Sequence, residues 1–308
     1  MATVRTVEGP LDPAEVTGPV LPHEHLAIDL RTEDDAEARV TDRLAVVDEL
    51  RAARESHGLG LVVDQTCRGM GRDPRALVAM SRAAGVPVVA STGYYWHRFH
   101  PAGELDHDVE AVTARLVHEI RHGLDGTDVR PGVVAEVGSH GAEPSPAERT
   151  SLLAAGHAAA ETGLSVGTHA HLGEGGPGQL ELLVSTGMRP ERVCVGHQDL
   201  ADDTAQHLAI AEAGAFVAFD TVGKESYQPD AVRLGLLLAL LEAGHAGQVL
   251  LSNDVSRDRY LLAHGGPGLG HVLGTFSDLL RGAGVDEGTL DLLRRRNPLR
   301  WLTGEEVA

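Results

Sequence analysis

The chain has 308 residues, 42% of them hydrophobic and 23% charged, with a formal charge of −19. That balance suits a globular protein with a large core and argues against nucleic acid as a partner, because a phosphate backbone is met by a basic face. Only Cys67 and Cys194 are present, so a disulfide framework or a zinc ribbon is excluded and any metal must be held by His and carboxylate.

No apolar run reaches the roughly 18 residues a spanning helix needs. The opening stretch, MATVRTVEGPLDPAEV, lacks the basic and then apolar blocks of a signal peptide. A cytoplasmic protein acting on a small molecule, with no membrane partner, is the expectation, and a homodimer is the assembly considered. TVRTVEGPLDPAEVTGP has turn chemistry at both ends and reads as a short N-terminal hairpin closing a barrel floor, or as an unstructured arm.

Short apolar runs then recur at 20–26, 59–66, 87–93, 132–138, 164–170, 193–199, 215–221 and 249–254. Each is nearly continuous Val, Ala and Leu, the composition of strands buried on both faces. Helical patterns fill the gaps at 41–54, 73–84, 109–121, 146–162, 179–186, 202–213, 230–243 and 271–281, with Asp73-Pro74, Ser145-Pro146 and Pro229-Asp230 as starts. Strand-helix units in this series predict an α/β fold, a (β/α)8 TIM barrel forming one domain over 1–308. An open doubly wound sheet is the alternative, but no Gly-rich phosphate fingerprint follows the first strand. The acidic run Glu33-Asp34-Asp35 reads as a solvated loop and Arg294-Arg295-Arg296 as a helix end.

The first run lies in GPVLPHEHLAIDL, where a period of two points His23 and His25 to one side. Alone, either could be a hydrogen-bonded core histidine. Later runs end on Glu136, His169, His197 and Asp254, and in such a barrel the active site lies at the C-terminal ends of the strands. These imidazoles and carboxylates suit zinc, with manganese or cobalt as alternatives, and are too many for one tetrahedral ion. Two divalent ions bridged by a carboxylate and a hydroxide would use all of them. His171 shares a strand face with His169, so periodicity leaves either as the ligand. His57, His118, His122, His157, His207 and His245 sit in or beside helical patterns and read as surface or cap residues.

VRTVEGPL before LPHEHL, STGYY at Ser91, THA at Thr168, RVCVGHQDL at Arg192, FDTVGKESYQPD at Phe219 and LLSND at Leu250 occur in that order. The set resembles the phosphotriesterase family of the amidohydrolase superfamily, in particular its phosphotriesterase homology protein branch. The resemblance implies that His23, His25 and Asp254 hold one ion and His169 and His197 the other, and it favours His169 over His171. The bridging position, a carboxylated lysine in many members, is Glu136 here. Lys224 is the only lysine in the chain and belongs to a different strand-end loop. Asp220 resembles the acid of the family's proton relay, although the histidine that completes it in organophosphate-degrading members has no clear counterpart. Asp254 and Asp220 are thus the catalytic candidates.

A metal pair lowers the pKa of a bridging water and polarises a carbonyl or phosphoryl oxygen, so hydrolysis is the expected reaction. The bridging hydroxide would attack, the ion on His169 and His197 would take the electrophilic oxygen, and Asp254 would accept the proton and pass it to the leaving group. A zinc-dependent lactonase or carboxylic esterase is the first expectation. An amidase acting on a small N-acylated acid, or a phosphotriesterase, is the alternative, and a metal-binding protein without turnover is the third. Tyr94, Tyr95, Trp96, Arg98, His171, Lys224, Tyr227, Arg257, Arg259 and His264 lie in strand-end loops as candidate substrate contacts. The cations among them, against the acidic background, predict a substrate with a negative group remote from the scissile bond, unless they pair with local acids such as Glu225, Asp230 and Asp258.

Overall fold

A computed structural model describes residues 3–105 and 108–306. β1 (Val4–Thr6) and β2 (Gly9–Leu11) form the antiparallel hairpin expected of the N-terminal turn residues. β3 (Val20–Glu24), β4 (Ile28–Asp29), β5 (Arg39–Val40), α1 (Arg43–His57), β6 (Leu61–Asp64), α2 (Pro74–Ala84), β7 (Val88–Val89) and β8 (Ser91–Thr92) follow. Then come α3 (Val109–His122), β9 (Val133–Ser139), α4 (Pro146–Thr162), β10 (Val166–Ala170), α5 (Gly176–Ser185), β11 (Val193–Val195) and α6 (Thr204–Glu212). The chain closes with β12 (Phe216–Phe219), α7 (Asp230–Glu242), β13 (Val249–Leu251), α8 (Ser277–Gly282), α9 (Glu287–Asp291) and α10 (Asn297–Thr303).

The architecture is the (β/α)8 barrel. β3, β6 and β7 pair in parallel, as do β8 through β13. β7 and β8 are one stave interrupted at Ala90, whose carbonyl accepts from Gly132 N at 2.9 Å. β3 and β13 meet with no backbone ladder among the described residues; Asp254 N instead donates to His23 O at 3.1 Å.

Side-chain alternation divides the strands between two cores. Val20, Leu61, Val63, Val89, Val133, Cys194, Phe216 and Leu250 pack together with Val4, Val16, Leu299 and Trp301 inside the barrel. Leu21, Val62, Val88, Val134, Val217 and Leu251 pack against the helices. Trp301, fully buried, donates its indole N–H to Val166 O at 3.2 Å, so α10 and the N-terminal hairpin plug the floor. Polar residues are left to the other end, where two bulges aim them. Val20 and Leu21 oppose Leu61 and Val62, but Glu24 opposes Asp64, so β3 carries one extra residue. Val166 opposes Val134 and Thr168 opposes Val137, so β9 carries another, just where Glu136 lies.

Helix boundaries follow their caps. Asp73 accepts from Ala76 N ahead of Pro74, Ser145 and Glu148 form a capping box, and Gly58, Gly85 and Gly163 end α1, α2 and α4 in left-handed backbone. Two expectations are corrected near the C-terminus. The helix expected at 271–281 begins as a π turn over Val272–Phe276, and Arg294-Arg295-Arg296 lies in a π turn over Leu292–Arg296 between α9 and α10, inside a helical stretch.

Candidate metal centre

At the end of β3 the His23 Nδ1–H donates to Asp220 Oδ2 at 2.7 Å. His25 Nδ1 lies 2.9 Å from Thr66 Oγ1. His197, in left-handed backbone just past β11, turns Nδ1 to Asp220 Oδ1 at 3.0 Å, and its own N–H donates to the same oxygen at 2.9 Å. With those nitrogens held, the Nε2 atoms of all three rings are left for a shared space. Glu136 occupies it, with Oε1 2.7 Å from His169 Nδ1 and 3.0 Å from His197 Nε2, and Oε2 3.6 Å from His25 Nε2. Asp254 follows β13, also left-handed at φ 49°, with Oδ1 3.3 Å from His25 Nε2. The structure therefore brings His23, His25, Glu136, His169, His197 and Asp254 together. It places Asp220 behind the imidazoles, with its two oxygens on His23 and His197, an arrangement that orients both rings.

The donor set fits metal. His23, His25 and Glu136 can each place a donor atom within 4.8 Å of the others, as can Glu136, His169 and His197, and Glu136 is the shared member. His23 Nε2 is buried with no hydrogen-bond partner among the described residues. Glu24, Asp64, Glu136, Asp220 and Asp254 are all buried at this end of the barrel, where Lys224 is the one buried ammonium among the described residues; Asp199 is matched by Arg233 at 2.6 Å. Two divalent cations would cancel that negative surplus. The titration of the rings reflects it. Burial opposes a charge on His25, but hydrogen bonds to Asp254 and Glu136 push it up to about 9. Burial opposes His197 as well, and Asp220 and Glu136 push it up to about 10. Despite burial, His169 and His23 hold Glu136 well below the usual carboxylate range.

A cavity of ≈ 240 Å³ opens onto the centre. Tyr95, Trp96, Arg98, His171, Lys224, Tyr227 and Arg257 line it, as the sequence suggests. The Tyr95 hydroxyl is 3.4 Å from His169 Nε2, and Trp96 stacks on His140 at 4.3 Å. Burial beside His169 and His140 lowers His171 to about 4. Three expected contacts do not line it. Tyr94 is fully buried and donates to Glu104 Oε2 at 2.8 Å; next to Tyr95 in an extended segment, it faces the other way. Arg259 lies over the Tyr260 ring at 5.2 Å, and His264 Nε2 pairs with Asp42 at 3.0 Å.

The cations at the wall already face acids, though not those expected from the sequence. Lys224 Nζ contacts Asp254 Oδ2. Arg257 is bidentate to Asp35 at 2.8 and 2.6 Å, and Arg98 reaches Asp34 at 3.4 Å. Asp34 and Asp35 sit at the tip of the β4–β5 hairpin, so the acidic run is a latch beside the cavity as well as a solvated loop. Asp230 serves Arg233 and His271, Asp258 accepts from Thr41 and Asp42, and Glu225 accepts from Asp230 N.

Sequence reasoning missed several supporting residues. His207, expected at the surface, is buried with Nε2 2.7 Å from Gln198 O. Gln179 donates to His169 O at 2.8 Å, and Asp64 accepts from Leu26 N at 2.7 Å and Thr66 N at 3.0 Å.

A parallel barrel that gathers imidazoles and carboxylates at its C-terminal rim, open to a small cavity, is the arrangement of a hydrolase that could hold metal. The chain belongs to the phosphotriesterase family, whose model matches residues 2–302. It is 36% identical over 283 residues to the phosphotriesterase homology protein of Escherichia coli (strain K12), covering 92% of this chain and 97% of that one. The crystal structure of the Escherichia coli protein, with phosphate in its active site, superposes with a TM-score of 0.91 over 95% of this chain and 100% of that one, at 35% identity. An N-acetyltaurine hydrolase of Rattus norvegicus is 29% identical over 97% of both chains. A lactonase from Listeria monocytogenes superposes with a TM-score of 0.91 at 25% identity, over 99% of this chain and 100% of that one. Among the described residues no helix is long and apolar enough to cross a membrane.

Proposed function

We propose that this protein is a binuclear zinc-dependent hydrolase, with manganese or cobalt able to serve, that cleaves a lactone or other carboxylic ester of a small substrate bearing a negative group. The observation that carries this reading is Glu136, one carboxylate common to two groups of donors. His23, His25 and Asp254 would hold one ion, His169 and His197 the other, and Glu136 both. When bound, the pair supplies Lewis acidity toward the electrophilic oxygen and an activated water. Asp220 and Thr66 fix which imidazole nitrogens face the cavity. Asp254 takes the proton from the attacking water and returns it to the leaving group. Lys224 against its other oxygen keeps it ionised until then. Arg257 is the cation best placed for the negative group, because its partner Asp35 is exchangeable on a partly exposed hairpin tip.

The likeness to a lactonase supports the ester, and that to N-acetyltaurine hydrolases supports a second reading, the amide of a small N-acylated acid. A turnover screen of the metal-loaded protein against lactones, aryl esters, N-acylated acids and organophosphates decides between them. We expect ester or lactone turnover, reduced in Asp254→Asn by about 10² to 10⁴ in kcat, the span of positioned proton transfer. Turnover of N-acylated acids alone would select the amidase, and an unimpaired Asp254→Asn would sink the site. Arg257→Ala should reduce kcat/KM for an anionic substrate about tenfold more than for its neutral analogue. Equal losses would remove the negative group from the reading.

A further inference from the structure

The eight-stranded barrel has one seam without a ladder among the described residues, between β3 and β13, and that seam divides the donors of a single ion. His23 and His25 stand on one side of it and Asp254 on the other. Glu24, between the two histidines, is fully buried. Its Oε1 accepts from Ser252 Oγ at 2.8 Å, Asn253 N at 2.9 Å and Asn253 Nδ2 at 2.9 Å, and its Oε2 accepts from Val255 N at 2.8 Å. Every one of these donors belongs to the residues that bracket Asp254, and Ser252 Oγ also accepts from His23 N at 3.1 Å.

The geometry points to Glu24 as a positioning residue: its carboxylate replaces the missing ladder at the rim and holds Asp254 in register with His23 and His25 for one of the two ions. The inference rests on the binuclear reading above. Asp254 sits in left-handed backbone at φ 49°, a minority conformation even for Asp, so its neighbours must hold it there. Four donors converging on one carboxylate supply that constraint. A carboxamide cannot, since turning an NH₂ toward any of them sets donor against donor. The second ion would be held by His169 and His197, whose staves β10 and β11 pair with each other in a backbone ladder, as β10 does with β9 across its bulge. Glu24 should therefore matter to one ion and not to the other.

The test is zinc content and release in the full chain. Wild type and Glu24→Gln are loaded with zinc, dialysed, and challenged with a chromogenic chelator, with the unfolding midpoint measured in parallel. Wild type should retain two ions. Glu24→Gln should retain close to one, releasing the other at least tenfold faster, and excess zinc should restore the second, which it could not do for a protein that had merely lost its fold. Ser252→Ala removes one of the four donors and should show a weaker version of the same split, which keeps the test open if Glu24→Gln does not fold. Release of both ions in parallel, or wild-type release in either folded variant, overturns the clamp while leaving the binuclear centre standing. Wild type that takes up fewer than two ions overturns both.

Discussion

Glu136 arrives complete from the ribosome, whereas a carboxylated lysine must first react with CO₂, and Lys224 is in any case committed to Asp254 on another loop. Reconstitution of the apo-protein with zinc should thus proceed at the same rate and to the same extent with and without bicarbonate. A bicarbonate requirement, read by metal content or activity, would remove Glu136 from the bridge. Glu136→Ala should lose metal and activity together, because the two ions proposed for this site would repel without a shared anionic donor. The six residues the structure gathers were legible because each ends an apolar run and carries a side chain with few other reasons to be there. Their supports were not. Glu24, Asp64 and Thr66 are ordinary in type, and what makes them matter is a partner some 40 to 230 positions away, beyond the reach of periodicity. Tyr94 and Tyr95 show the opposite limit, since adjacent tyrosines in one motif look alike until the backbone sends them to opposite sides.

Alternation along β3 and β9 could say that His23 and His25 share a side, but not which side, because each strand gains a residue in a bulge that reverses its inner and outer faces. The barrel strands and the helices between them were plain from apolar runs and caps, whereas the β4–β5 hairpin, α9 and α10 were not read, and the π turns were invisible because their composition is that of any helix. Loop-to-loop ties were equally hidden, and Glu148 is the clearest case. Besides capping α4, it accepts from His97 N at 3.1 Å, His97 Nδ1 at 2.8 Å and His140 N at 3.2 Å, joining the loops after β8 and β9 beneath Trp96. Burial alone would raise its pKa, but the Ser145 N–H and His97 bring it from 4.5 down to about 2. A carboxylate depressed on folding contributes stability above its unfolded pKa and loses it as pH falls through the folded one. Glu148→Gln should therefore cost on the order of 1–3 kcal/mol at neutral pH. The gap to wild type should shrink between about pH 4.5 and 2. Urea unfolding across that range is the check, and a gap that ignores pH would mean the carboxylate is not the tie.

Across the whole molecule the charge of −19 is unevenly placed. Surface acids are solvated or paired with arginines at little net effect. The five carboxylates buried at the rim are neither; against them stand Lys224 and the imidazoles, of which His25 and His197 are pushed toward the charged form, an incomplete balance at the end where β3 and β13 lack a ladder. Cations that bind the folded chain alone would relieve this and stabilise it by mass action, about 4 kcal/mol for an ion at a thousandfold over its Kd. At roughly 2–4 °C per kcal/mol for chains of this order of size, removing the metals should lower Tm by about 10 °C for each ion so held. Adding zinc back should restore it, in step with metal content measured on the same samples. An unchanged Tm in protein shown to be metal-free would mean that the buried carboxylates are balanced by the chain itself, and that the rim needs no cation to stand.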